Sequence, residues 1–482
     1  MHYPWWYVPH ITAPMLIAVI AVVHVLVSHY AVGGGFFLAV ETTHAYRTAN
    51  REYLGYLKRH AKFFVLLTVV FGAITGVGIW WTIGLASPLA TRLLIRTFVF
   101  AWGTEWVCFV VEIVSAFIFY YYWDRLPRRL HLAVVWIYAL AAWASLVIIT
   151  AITAFMLDPG RWPANHDFWS GLANQQTLPQ IIARTGGALL LSSLYVYFHA
   201  ALAIKEPKLH ALIESRSARP ALLGAAMITV GGILWHLYLP DSAKAAMVAA
   251  PVLNVFMALL FAATGAVFLL IYLGPYRHAG WQTSPGFAAA LLLFGVVGFT
   301  TGEFLREAVR KPYVIYNVVL GSQMLCDPAE TARVQKAGYL QSGTWTKAFV
   351  AEEYPRFFTK AAIEEALRAG DSQSLFPRDA ERLQALPGED RIALGGLIFQ
   401  YHCNDCHAAE NGYSAVGPMM QGWSRDMIEL AIPVLHRTRF TMPQWLGTPA
   451  ETELLTDYLL SIRPPRPKGM LPPEFPLPTQ SL

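Results

Sequence analysis

Cys403-Asn404-Asp405-Cys406-His407 is the segment of this chain whose residue types and spacing prescribe covalent chemistry. Two thiols three residues apart can add to the two vinyl groups of a porphyrin. The imidazole beside the second thiol then falls on one axial position of the iron. The bland alternative is a structural zinc knuckle, but no second Cys/His pair lies nearby to complete four ligands. On this reading Cys403 and Cys406 hold one covalent heme c and His407 is its proximal ligand. Met442, in Met442-Pro443 and 35 residues after His407, and Met419 and Met420 are sulfur-bearing residues that follow it. The bland role of each is core packing.

A second set of candidates consists of ionisable residues inside long apolar runs, where they are expensive and point to function. His24, His29 and Glu41 occupy the first run; Glu105 and Glu112 the third; Arg184 and His199 the fifth; His236 the sixth. Glu105 and Glu112, seven residues apart, share one helix face and read as a proton path; hydrogen bonding between helices is the bland alternative. Glu303, Arg306, Glu307 and Arg310 follow at i, i+3, i+4 and i+7, so they form one stripe. That stripe is either a salt-bridge ladder or carboxylate ligation of a heme iron, with arginines holding propionates. His44, His60, His131, His210 and His278 fall in or beside basic loops and are expected to be solvated. His199 reads as a packing or proton-path residue.

The elements that position these groups follow from composition. Of 482 residues, 55% are hydrophobic and only 14% charged, which excludes a single soluble domain and a disordered chain. A net charge of +5 gives no electrostatic case for nucleic acid. Eight apolar runs, roughly over 13–41, 63–85, 95–122, 132–156, 181–204, 220–240, 251–273 and 285–309, are each long enough to cross a hydrocarbon core. Alternate loops carry thirteen Lys and Arg on one side against three on the other. The expected orientation therefore puts the N-terminus and everything after span eight outside the cytoplasmic membrane. At ~1.5 Å per residue, His24, His236, Met257 and Glu303 all fall in the outer half of the membrane. The expected fold is all-α: a polytopic bundle over 1–310, a connector over 311–388 with short helices such as Thr359–Ala369, a small helical domain over 389–463, and a Pro-rich tail over 464–482.

Two resemblances rest on these residues. The C-x-x-C-H segment, Gly417-Pro418, Met442-Pro443 and an amphipathic closing helix Glu451–Ile462 together resemble a class I cytochrome c, a resemblance that implies His407 as proximal and Met442 as distal ligand, with Met419 and Met420 as rivals. In the membrane part, His24 followed by Gly33-Gly34-Gly35-Phe36-Phe37-Leu38-Ala39-Val40-Glu41 resembles the first span of the large subunit of cytochrome bd oxidases. Thr104-Glu105-Trp106 through Glu112, then Trp123-Asp124-Arg125-Leu126, resembles its third span and following loop. Glu307-Ala308-Val309-Arg310-Lys311-Pro312-Tyr313 resembles its E-x-G-R-Q-P-W signature.

The second resemblance implies His24 as axial ligand of a high-spin heme. It also implies Glu112 and Glu105 on a proton route, a Glu of span eight (Glu303 or Glu307) serving a second heme, and Met257 at a low-spin heme b. Two or more b-type hemes are implied, with heme b and heme d not distinguished at the active site. A second membrane subunit and a cytochrome or other electron donor are the implied partners. This chain also departs from the family. The low-spin His position of span five falls near Arg184, which cannot ligate iron, so that heme is lost or held otherwise, for instance by His236. Thr300 stands in strict register where the family has its span-eight Glu. The long outer loop of the quinol site is missing, and a cytochrome c-like region replaces the ninth span.

The leading expectation is an enzyme subunit that passes electrons from heme c to membrane hemes, which reduce a small acceptor, O2 foremost, with proton uptake. The alternatives are an electron-transfer module without substrate chemistry, and a nitric oxide reductase.

Overall fold

The computed structural model describes residues 6–278, 280–342, 386–439 and 441–465. The helix expected over 359–369 and nearly all of the Pro-rich tail lie outside these residues. Among the described residues, eight helices are long and apolar enough to cross a membrane: Ala13–Arg47, Arg51–Ala86, Val99–Tyr121, Arg128–Ala154, Thr177–Ala203, Pro207–Leu237, Pro251–Tyr276 and Pro285–Ala308. These are spans one to eight. The chain divides into two compact units, one of residues 19–80 and 93–310, the other of residues 1–18, 81–92 and 311–482.

Local chemistry sets the boundaries of the spans. Asn50 caps span two by accepting from the Tyr53 amide at 2.9 Å. Ser284 caps span eight through the Phe287 amide, with Pro285 in the first turn. Span five is the centre of the first unit: 61% of its apolar window is buried, against at most 33% in any other span. At Gly186 and Gly224 it meets span six backbone to backbone. A Cβ on Gly186 would lie 2.5 Å from the Gly224 carbonyl oxygen, and one on Gly224 2.4 Å from that of Gly186. Small residues let two helices approach this closely where lipid supplies no hydrophobic drive. Span two contains a π-helical turn, Leu66–Phe71, just before Gly72, Thr75 and Gly76, and such turns often mark functional segments.

Three of the five histidines expected in water are buried. His131 is fully enclosed, accepting from Tyr46 Oη at 3.0 Å and donating from Nε2 to the Phe119 carbonyl at 3.1 Å. His210 is buried beside Glu214, 3.1 Å away. His60 is fully buried between Tyr30 and His199. The basic loops are shorter than the apolar runs suggest: span two starts at Arg51 and span six at Pro207, which draws His60 and His210 into helices. Glu41 is buried too, accepting from Tyr53 Oη at 2.8 Å and from Arg216 at 3.0 Å.

Among its described residues the second unit is helical apart from one small antiparallel hairpin, Tyr313–Ile315 with Val319–Leu320, a minor departure from the all-α expectation. Helices Gly388–His402 and Pro449–Ile462 cross where a Cβ on Gly395 would lie 1.9 Å from the Leu454 carbonyl oxygen, and Gly396 faces the Tyr458 ring. Leu394, Ile398, Phe399, Ile428, Leu454 and Leu459 form the core around that crossing, and Met324, Val334, Tyr339 and Leu340 share it. Residues 324–340, expected as part of a connector, thus pack as part of this unit. Glu451 makes the joint. Its carboxylate accepts from the Tyr339, Leu340 and Thr448 amides at 3.0, 2.8 and 3.0 Å, and burial pushes its pKa up to about 7. Gly338 has a φ of +80°, and a side chain there would strike Glu451.

Candidate functional site

The Cys403–His407 segment turns off the end of helix Gly388–His402. Cys403 is the C-cap residue, its amide bonded to the Phe399 carbonyl, and the Cys406 and His407 amides return to the Cys403 carbonyl at 3.1 and 3.0 Å. Asn404 Nδ2 donates to the His407 carbonyl at 3.0 Å and clamps the turn. Burial raises both thiols, Cys403 to about 12 and Cys406 to about 11, so neither is a ready thiolate. His407 Nδ1 lies 2.8 Å from the Ser414 carbonyl oxygen, which can only accept. The Nδ1 proton is thereby fixed, and Nε2 keeps its lone pair for a metal. Burial also lowers the His407 pKa, favouring the neutral ring that ligation requires. Of the sulfur candidates, Met419 is exposed, Met420 packs against the core, and Met442 is half-buried with its amide bonded to the Arg439 carbonyl.

In the membrane unit, His24 Nδ1 lies 3.1 Å from Thr75 Oγ1. The Thr75 hydroxyl proton is already used toward the Phe71 or Gly72 carbonyl, at 2.9 and 3.1 Å. His24 therefore donates from Nδ1, and its Nε2 carries a free lone pair, the same arrangement as His407. Gly76 leaves room for the ring, since a Cβ there would sit 3.2 Å from His24 Cε1.

Glu303 sits between two guanidinium groups: Arg306 at 3.0 Å and Arg184 at 3.6 Å. His29 belongs to the same neighbourhood. Its Nδ1 donates to the Val25 carbonyl at 2.8 Å, its ring packs edge-on against Phe299, and its buried Nε2 has no hydrogen-bond partner. Glu307 pairs with Arg310 on the same helix. Ser145 of span four donates to Glu105 at 2.9 Å and acts on Glu112 as well, so a hydroxyl from another helix stands beside both carboxylates. Sequence reasoning missed Ser145, because its part depends on the pairing of spans three and four. His236 is exposed at the end of span six. Met257 packs on the apolar cluster that contains Leu253, Leu305 and Val309.

Residues 13–249 match the family model of cytochrome bd terminal oxidase subunit I. Among solved structures, the bd oxidase from Geobacillus thermodenitrificans is similar in fold, with a TM-score of 0.56 at 15% identity, covering 63% of this chain and 87% of that one. No curated protein matches the chain.

Proposed function

We propose, from the premise that residues 13–249 are of the cytochrome bd terminal oxidase subunit I family, that this chain is a membrane heme oxidoreductase subunit fed through a heme c on its C-terminal unit. The family is one of membrane heme oxidases that reduce O2, carry b- and d-type hemes and pair with a second membrane subunit. The heme c, the fused cytochrome c-like region over 389–463 and the external orientation are the finer part of this reading. One observation carries it: His407 and His24 each spend Nδ1 on a fixed oxygen acceptor and leave Nε2 bare.

In this reading Cys403 and Cys406 would tether heme c, and His407 and Met442 would hold its iron. His24 would hold a membrane heme. Met257 and His236 would serve a further heme, and Glu303 or Glu307 would serve the span-eight side, with Arg306 and Arg310 as anion partners. When bound, these hemes supply single-electron storage and the site of acceptor reduction. The remaining tasks belong to the chain. Glu105, Ser145 and Glu112 pass protons along spans three and four. The second membrane subunit covers exposed apolar faces such as Trp106, Phe109 and Phe261.

A second reading has its own support. The Glu303 carboxylate is engaged by two arginines, and Arg184 stands where the resemblance calls for a ligating His. A chain that has traded ligands for ion pairs could relay electrons between quinol or a partner and heme c without reducing any acceptor itself.

Optical spectra of the purified complex, reduced minus oxidised and reduced with CO, with heme types quantified as pyridine hemochromes, decide between them. A CO-reactive heme beside one heme c, lost in His24→Ala, is the expected result. Six-coordinate hemes throughout, with no CO response, would establish the electron relay instead.

A further inference from the structure

Three titratable side chains from three helices form one hydrogen-bonded line in the membrane unit, apart from Glu105 and Glu112. Tyr30 Oη of span one lies 3.0 Å from His60 Nε2 of span two, and His60 Nδ1 lies 3.1 Å from His199 Nδ1 of span five. Tyr30 and His60 are fully buried, whereas His199 is half-buried. His199 stands four residues before the end of span five, and His60 nine residues into span two. The line therefore starts near the end of the bundle that carries the basic loops and runs inward.

Its walls are aromatic. Phe63 stacks on His199 at 5.3 Å, Phe37 meets His60 at 5.2 Å, and Tyr195 packs on Tyr30 at 4.4 Å. Tyr56 lies 5.7 Å from the His60 ring and 5.5 Å from that of His199. The facing charge is Arg59, which acts on both His199 and Tyr56; Glu214 acts on Tyr56. Burying two imidazoles and a phenol costs desolvation that an apolar trio would avoid. What the polar trio adds is a chain of groups that each both donate and accept.

We propose that His199, His60 and Tyr30 conduct protons from the basic-loop end of the bundle into its interior, as a second route beside Glu105 and Glu112. In the loaded polarity His199 donates from Nδ1 to His60 Nδ1, His60 donates from Nε2 to Tyr30 Oη, and His199 Nε2 is bare. A proton from water binds His199 Nε2. The Nδ1 proton moves to His60 Nδ1, the His60 Nε2 proton moves to Tyr30 Oη, and the original Tyr30 proton leaves inward. One proton enters and one departs, with no net charge left on the line. Rotation of the Tyr30 hydroxyl and tautomer exchange of the two rings restore the loaded polarity.

The destination of these protons, a reduced membrane heme site, rests on the proposed function. The test uses the intact complex with its hemes, reduced by a light-triggered flavin donor, with a pH-indicating dye reporting proton uptake. Tyr30→Phe removes only one oxygen, and His199→Gly opens the half-buried end. Both are expected to slow uptake on the order of ten-fold or more with heme content and CO spectrum unchanged. Added imidazole is expected to restore part of the rate in His199→Gly; the same sample is measured with and without it, so misfolding cannot produce the recovery. Unaltered uptake in a heme-replete Tyr30→Phe, or no response to imidazole, overturns the relay alone. Absence of any reducible membrane heme in the unmodified protein overturns the proposed function and takes the relay with it.

Discussion

At the scale of single residues, the chemistry turns on where protons are fixed. Under the proposed function His407 and His24 act as ligands, and in each the other nitrogen is engaged, by a carbonyl in one case and a hydroxyl in the other. Replacing both Cys403 and Cys406 by Ser is expected to abolish covalent heme, read as loss of heme stain on a denaturing gel, while noncovalent membrane hemes remain. Glu112→Gln removes the carboxylate proposed to carry protons but keeps the size of the side chain. Turnover is expected to fall on the order of 10²-fold, with CO binding to the reduced protein unchanged, as measured by stopped-flow reduction with CO recombination. The difference between legible and hidden residues lies at this scale. C-x-x-C-H stands out as a candidate site because its residues occupy five consecutive positions. The burial of His60 depends on partners 30 and 139 residues away, so in sequence it reads as one more loop histidine.

At the scale of elements, backbone contacts at glycines decide which helices can cross. Gly395→Val forces a side chain into the Leu454 carbonyl and must part helices Gly388–His402 and Pro449–Ile462. A loss of about 3 kcal/mol is expected, read as faster amide exchange across Pro449–Ile462 by mass spectrometry. Glu451 makes the same joint sensitive to pH. Its folded pKa is raised from 4.5 to about 7, so the folded unit keeps the proton over a range where the unfolded chain has released it. Stability contributed by the protonated form is therefore present at acid pH and falls between pH 4.5 and 7, by about 3 kcal/mol at ~1.4 kcal/mol per unit. Above pH 7 the slope vanishes. Amide exchange at pH 5 and pH 7, corrected for intrinsic rates, is expected to show this loss in the native sequence and a flat response in Glu451→Gln. Sequence made the eight spans legible because uninterrupted apolar length is a local property. It did not make legible the packing of residues 324–340 onto the C-terminal helices, because Tyr339 and Leu340 are held by a carboxylate more than a hundred positions later.

At the scale of the whole molecule, the C-terminal unit is assembled from both ends of the sequence. The His10 carbonyl accepts from the Tyr413 amide at 2.5 Å, just after the Cys403–His407 segment. Gly412, at a φ of +107°, has no space for a side chain because one would meet the same carbonyl 2.1 Å away. Deleting residues 1–12 is expected to open this loop, read as new cleavage near Gly412 under limited proteolysis while span one stays inserted. A ribosome makes His10 more than four hundred residues before it makes Gly412. During that interval all eight spans must enter the bilayer while the first segment stays without its mate. The clasp therefore closes only after the chain has been made through Tyr413, when the first residues of the sequence at last meet their mate.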